Sequence, residues 1–105
     1  MTTPSGNDQP GGLLLVAIIE MVSGAAAAGQ EYEDAVLSLL GRHGGAIERR
    51  VRSTDSATEV HLIRFRSRVG YESFMADPDR LELRARAGDA APATRVLEVV
   101  EVRES

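Results

Sequence analysis

Residues 58–80 read TEVHLIRFRSRVGYESFMADPDR. The first part alternates with the two-residue period of a strand. Glu59, His61, Ile63 and Phe65 fall on one face, and Val60, Leu62 and Arg64 on the other. Ser67 then offers the short hydroxyl side chain that suits a helix N-cap. Behind it, Tyr71, Phe74 and Met75 stand at i, i+3 and i+4, a helical core stripe. Asp77-Pro78 restarts the helix, with Asp as N-cap and Pro at the first helical position, where its missing N–H costs nothing. The helix continues through Leu81 and Ala85 to Gly88. A strand is thus followed by a capped, re-started helix.

Working outward, residues 89–93 form a loop around Pro92, and residues 94–102, TRVLEVVEV, predict the last strand. Upstream, residues 46–53, AIERRVRS, predict a strand in which Ile47, Arg49 and Val51 alternate with Glu48, Arg50 and Arg52. The short turn at 53–57 makes these two central strands an antiparallel hairpin. Tyr32, Ala35, Val36, Leu39, Leu40 and His43 give a helix from about Ala26 to His43 one apolar stripe. Gly29, a poor helix residue by roughly 1 kcal/mol against Ala, is a candidate for its true start. Gly44 is the expected left-handed cap. Residues 13–21, LLLVAIIEM, predict a first strand that is apolar on both faces. Helices can cover only one of them, and the chain has too few strands to build a second sheet. A homodimer follows as the expected cover. Residues 1–12 lack apolar periodicity and predict a disordered tail ahead of a single domain over 13–105. The order β-α-β-β-α-β is the split βαβ, ferredoxin-like plan of the α+β class: a four-stranded antiparallel sheet with two helices on one face.

At 105 residues the chain has room for one core. Cysteine is absent, so disulfides and thiolate metal sites are excluded. The net charge of −4 and the lack of tryptophan argue against nucleic acid as a partner, which needs a basic face and stacking platforms. The run from Leu13 to Ile19 is too short to span a membrane, and it lacks the basic flank of a signal peptide. A soluble cytoplasmic protein, with no membrane contact, is the expectation. The richness in Ala, Gly and Arg is the composition of a high-GC bacterial genome.

Three stretches carry a resemblance: YEDAVLSLLGRHGG, IERRVR, and EVHLIRFRS followed by the aromatic helix and ADPDR. Over about residues 13–102 they resemble the dimeric α+β barrel superfamily, near an uncharacterised branch related to antibiotic-biosynthesis-type monooxygenases. Two departures stand out: Arg66 occupies the position of a usual proline, and Arg64 that of a frequent acid. The resemblance implies two four-stranded sheets packed face to face in a homodimer. It also implies a cofactor-free monooxygenase, cyclase or isomerase acting on a small molecule, of the kind found in secondary metabolism. The alternative it leaves open is a non-catalytic homodimeric ligand-binding or accessory protein.

His61 is the leading catalytic candidate, because a neutral imidazole in a cleft under helices can serve as a general base. The competing reading is a structural histidine satisfied by a carboxylate. Tyr71 is a candidate acid and Tyr32 a candidate substrate contact, although both also suit a core stripe, where a buried phenol needs a partner. Arg50 and Arg64 are candidate holders of a substrate anion through their planar forks, or else ion-paired to neighbouring acids. His43 reads as a helix-end cap. No metal-ligand spacing and no phosphate loop appears in the sequence.

Overall fold

The structure, a computed structural model, describes residues 12–102. Apart from Gly12, the expected tail lies outside the described residues. Strand β1 (Leu13–Glu20) leads to helix α1 (Ala26–Leu37), then β2 (Gly45–Arg52) and β3 (Thr58–Phe65). Helices α2 (Arg68–Met75) and α3 (Pro78–Ala87) follow, and β4 (Ala93–Val99) ends the sheet. All pairings are antiparallel, in the order β2-β3-β1-β4. This is the expected βαββαβ plan.

The helices cover one side of the sheet. Leu13, Leu15, Ala17 and Ile19 of β1 and Ile63 and Phe65 of β3 pack there against Tyr32, Val36 and Phe74. The caps expected around α2 and α3 are present. Ser67 Oγ accepts from the Gly70 N–H at 3.2 Å, and Asp77 Oδ1 from the Asp79 N–H at 2.9 Å. Each satisfies an orphan donor of a first helical turn.

Three local expectations need correction. The first helix ends at Leu37 rather than His43. Ser38 Oγ donates to the Ala35 carbonyl at 2.6 Å, competing with the backbone ladder, and the chain tightens into a 3-10 turn over Leu40–His43. Gly44 closes that turn at φ +71°, as expected of a left-handed cap. Gly29 does not begin α1 but sits inside it, where Met21 and Pro92 pack so closely that a Cβ would strike the Met21 Sδ. Finally, β2 does not alternate along its whole length. A register shift between Ile47 and Arg49 makes Glu48 a bulge. Ile47 pairs with Ile63 on the helix side, whereas Arg49 and Val51 pair with Leu62 and Val60 on the other. The bulge thereby turns Arg50 and Arg52 toward the helix side, opposite His61 and Glu59.

Candidate active site

A cavity of about 240 Å³ lies between the helix side of the sheet and the three helices. Its floor comes from β1 and β3. Ala17 pairs with His61 across the ladder, and its short side chain leaves room beside the imidazole. Tyr32 and Glu33 of α1, Tyr71 of α2, Arg80 and Arg84 of α3, and Thr94 of β4 complete the polar part of the wall. The rest is mostly aliphatic and aromatic.

His61 is 1% exposed and Glu59 fully buried. A buried carboxylate is costly unless paired, and Glu59 is paired on every side. Arg50 Nε donates to Oε1 at 2.8 Å, Arg52 Nε to Oε2 at 2.9 Å, and Arg50 Nη2 to Oε2 at 3.3 Å. Arg50 also reaches Asp34 of α1 at 2.7 Å. Burial by itself would raise the Glu59 carboxyl, but hydrogen bonds from Arg50, His61 and Arg52 outweigh it and hold it at about 2. Glu59 is therefore an anion. His61 Nε2, 2.8 Å from Glu59 Oε1, must carry the proton and donate it to that bond. The lone pair is left on Nδ1.

That nitrogen faces Glu33 Oε1 at 4.0 Å. Burial lowers the imidazole's affinity for a second proton, more than Glu59 raises it, so the ring is neutral near pH 7. Glu33 has the opposite environment. Burial first, then the charge of Glu59, push its carboxyl up to about 7, against the pull of Arg50, Arg80 and Arg84. A neutral imidazole with its free nitrogen toward an apolar cavity, beside a carboxyl that titrates near neutrality, can accept and pass on a proton.

The structure brings His61, Tyr32 and Tyr71 together around one cavity. Arg50 stands behind His61 and holds Glu59 instead of lining the cavity. Arg64 corrects the expectation of an anion holder beside His61: it lies on the opposite face of the sheet, where Nε donates to Glu48 at 2.6 Å and Nη2 to Glu101 at 3.4 Å. His43 joins the 3-10 turn to the α2–α3 junction, with Nδ1 3.0 Å from Ser73 Oγ and Nε2 2.7 Å from Asp77 Oδ2. Sequence reasoning missed Glu33, Glu59, Arg80 and Arg84 as site residues. Glu33 had a signal, since Gly29, Tyr32, Glu33 and Val36, all buried, share the i, i+3, i+4, i+7 spacing of the inward face. Among the described residues no three acids or histidines are placed to hold a metal ion, and no helix is long and apolar enough to cross a membrane.

No family model and no curated protein matches the chain. Solved structures do. Rv0793 from Mycobacterium tuberculosis superimposes with a TM-score of 0.65 at 22% identity, covering 88% of this chain and 98% of that one. SnoaB, a cofactor-independent oxygenase from Streptomyces nogalater, gives 0.69 at 17% identity, covering 88% and 94%. A candidate antibiotic biosynthesis monooxygenase from Nitrosomonas europaea gives 0.70 at 13% identity, covering 87% and 99%. At these identities the likeness is one of fold: the βαββαβ plan with its four-stranded antiparallel sheet.

Proposed function

We propose that the protein is a small-molecule enzyme of the cofactor-free monooxygenase, cyclase or isomerase type, acting in secondary metabolism as a homodimer. The observation that carries this reading is the imidazole of His61 in the wall of a mostly apolar cavity, its Nδ1 4.0 Å from Glu33 while Glu59 fixes the opposite nitrogen. The fold shared with SnoaB, a cofactor-independent oxygenase, supports it by analogy.

All three reaction types begin alike: a base removes a proton from an acidic C–H and leaves a carbanion or enolate. His61 Nδ1 is that base, and Glu59 stabilises the imidazolium that forms. Glu33 passes the proton on, and the Tyr71 hydroxyl donates to the developing enolate while Tyr32 bounds the substrate. In an oxygenation the carbanion itself reduces O2. A CH2 becomes C=O, one oxygen atom staying as the carbonyl and the other leaving as water with both hydrogens. In a cyclisation the carbanion attacks a carbonyl of the same molecule, and in an isomerisation the proton returns to a different carbon.

Hydrogen–deuterium exchange at the acidic carbon of a panel of cyclic ketones and 1,3-diketones, followed by NMR in D2O, tests the shared first step. The wild type should accelerate exchange for the compounds that fit, and His61→Ala should abolish the acceleration. Compounds that bind without exchanging would instead support the non-catalytic, ligand-binding dimer. That second reading has its own observation: His61 is already satisfied by a carboxylate, as a structural histidine would be. The dimer is proposed from the face of the sheet that the helices leave uncovered. There Val16, Ile18 and Leu62 are half-buried, while Val60 and Leu97 are 36% and 38% exposed. A contiguous apolar face of this kind is a common mark of a protein–protein interface. A sedimentation mass of one 11.3 kDa chain at micromolar concentration would refute it.

A further inference from the structure

The deprotonation just described makes no use of two charges in the same cavity. Arg80 and Arg84, one turn apart on α3, both line it. Neither makes an ion pair among the described residues. Neutral acceptors hold them instead. Arg80 Nη1 donates to the Met75 carbonyl at 3.1 Å, and its guanidinium carbon lies 5.6 Å from the centre of the Phe74 ring. Arg84 Nη1 donates to the Pro92 carbonyl at 3.3 Å. The acids beside them on α3 are engaged elsewhere, Asp79 with Arg42 at 2.7 Å and Glu82 with Arg86 at 2.6 Å. Glu33, the sole carboxyl in the cavity wall, lies beyond ion-pair distance of both.

We infer that Arg80 and Arg84 form an anion subsite that selects small aromatic acids, the carboxylate meeting the two guanidiniums while the ring body extends over the apolar wall toward His61. The inference rests on the cavity being a ligand site, as proposed above, and not on His61 doing chemistry there. Arginine suits the task, because its planar fork presents paired donors to a carboxylate and keeps its charge at any physiological pH. The Phe74 face and the backbone carbonyls orient the forks before a ligand arrives, which reduces the ordering cost of binding. Size narrows the class further. An apolar cavity of roughly 150 Å³ takes one benzene, so about 240 Å³ admits a body of one or two fused rings.

Paired probes of equal shape test this: 2-naphthoate and its neutral isostere 2-naphthamide, titrated by calorimetry into the full chain. The wild type should bind the acid at least tenfold more tightly than the amide. The double substitution Arg80→Gln with Arg84→Gln should erase that preference to within twofold and leave the amide affinity unchanged. Arg80→Lys with Arg84→Lys, which keeps both charges, should restore part of it and controls for folding. His61→Ala should keep the preference while losing exchange, so the anion subsite and the base are read separately. Equal wild-type affinities for acid and amide would overturn the anion subsite alone. A preference that survives the double Gln variant would do the same. Binding of neither probe at millimolar concentration would overturn the subsite together with the ligand cavity.

Discussion

Two imidazole–carboxylate pairs of nearly equal geometry stand at different places in the fold. His43 Nε2 meets Asp77 at 2.7 Å, and His61 Nε2 meets Glu59 at 2.8 Å. What separates them is the other ring nitrogen. In His43 it is closed off by Ser73 Oγ of α2 at 3.0 Å, so the two ring nitrogens join the 3-10 turn to α2 and to the start of α3. In His61 it faces a cavity and the Glu33 carboxyl. The carboxylates differ as well. Asp77 spends its second oxygen on capping α3, where it accepts from Asp79, so its pair belongs to the architecture. Glu59 is encircled by two arginines that do nothing for a helix end. An imidazole–carboxylate contact is therefore no sign of chemistry by itself; a free lone pair opening on space for a substrate is the distinguishing feature.

Replacing each histidine by alanine should break this comparison most widely. His61→Ala should lower the rate of catalysed C–H exchange by about 10²–10⁴-fold, the range of a positioned general base. His43→Ala should leave exchange within a few-fold of wild type. If both variants lose exchange equally, the distinction between the two pairs fails. Next in size is Glu59→Gln, which leaves Arg50 and Arg52 without their shared anion. Urea unfolding should show a loss on the order of 2–3 kcal/mol, less than for a wholly buried pair because both arginines keep some access to water. The loss should depend on pH. The Glu59 carboxyl is depressed from 4.5 to about 2, so its stabilisation is full above about pH 4.5 and vanishes as pH falls through about 2. The wild type and Glu59→Gln should converge in that window.

Much of this was legible in the sequence. Strict alternation in TEVHLIRF puts Glu59 and His61 together on one face, and the caps at Ser67 and Asp77 follow from side chains that satisfy open N–H groups locally. What escaped was non-local. Nothing in IERRVR announces that Glu48 is an extra residue, so the turn of Arg50 and Arg52 toward Glu59 became visible only once β2 was paired with β3. Arg64 lies outside the site for a related reason: alternation fixes its face, opposite to that of His61, but does not say which face the helices cover. Glu33 is an acid in a helix whose inward stripe is otherwise apolar, although its spacing from Tyr32 and Val36 places it on that inward face. Arg80 and Arg84 share an inward i, i+3, i+4, i+7 face with Leu83 and Ala87, which pack on the core, but two apolar residues among charged ones make that stripe too weak to read in the sequence.

Smaller effects sharpen the same contrast. Glu33→Gln should stabilise the protein at alkaline pH, since the native state holds that carboxyl up at about 7 against 4.5 for a free one. The folded chain then binds a proton that the unfolded chain has released. That contribution is complete below about pH 4.5 and is lost as pH rises through about 7. The advantage of Glu33→Gln over wild type should therefore be absent near pH 4, grow across this window, and level off above pH 8 at no more than about 3 kcal/mol. His61 has the opposite slope, because its depressed affinity for a second proton favours the folded state as pH rises. The difference between variant and wild type, not either melting curve alone, isolates Glu33. An advantage independent of pH would show that Glu33 is not the titrating group. The least effect belongs to His43→Gln, whose amide can keep one of the two side-chain hydrogen bonds. It should cost about 1 kcal/mol or less in denaturant unfolding, the worth of a single bond, with exchange at the cavity unchanged. His43 would then be a clasp between two turns, and His61 the histidine with a nitrogen to spare.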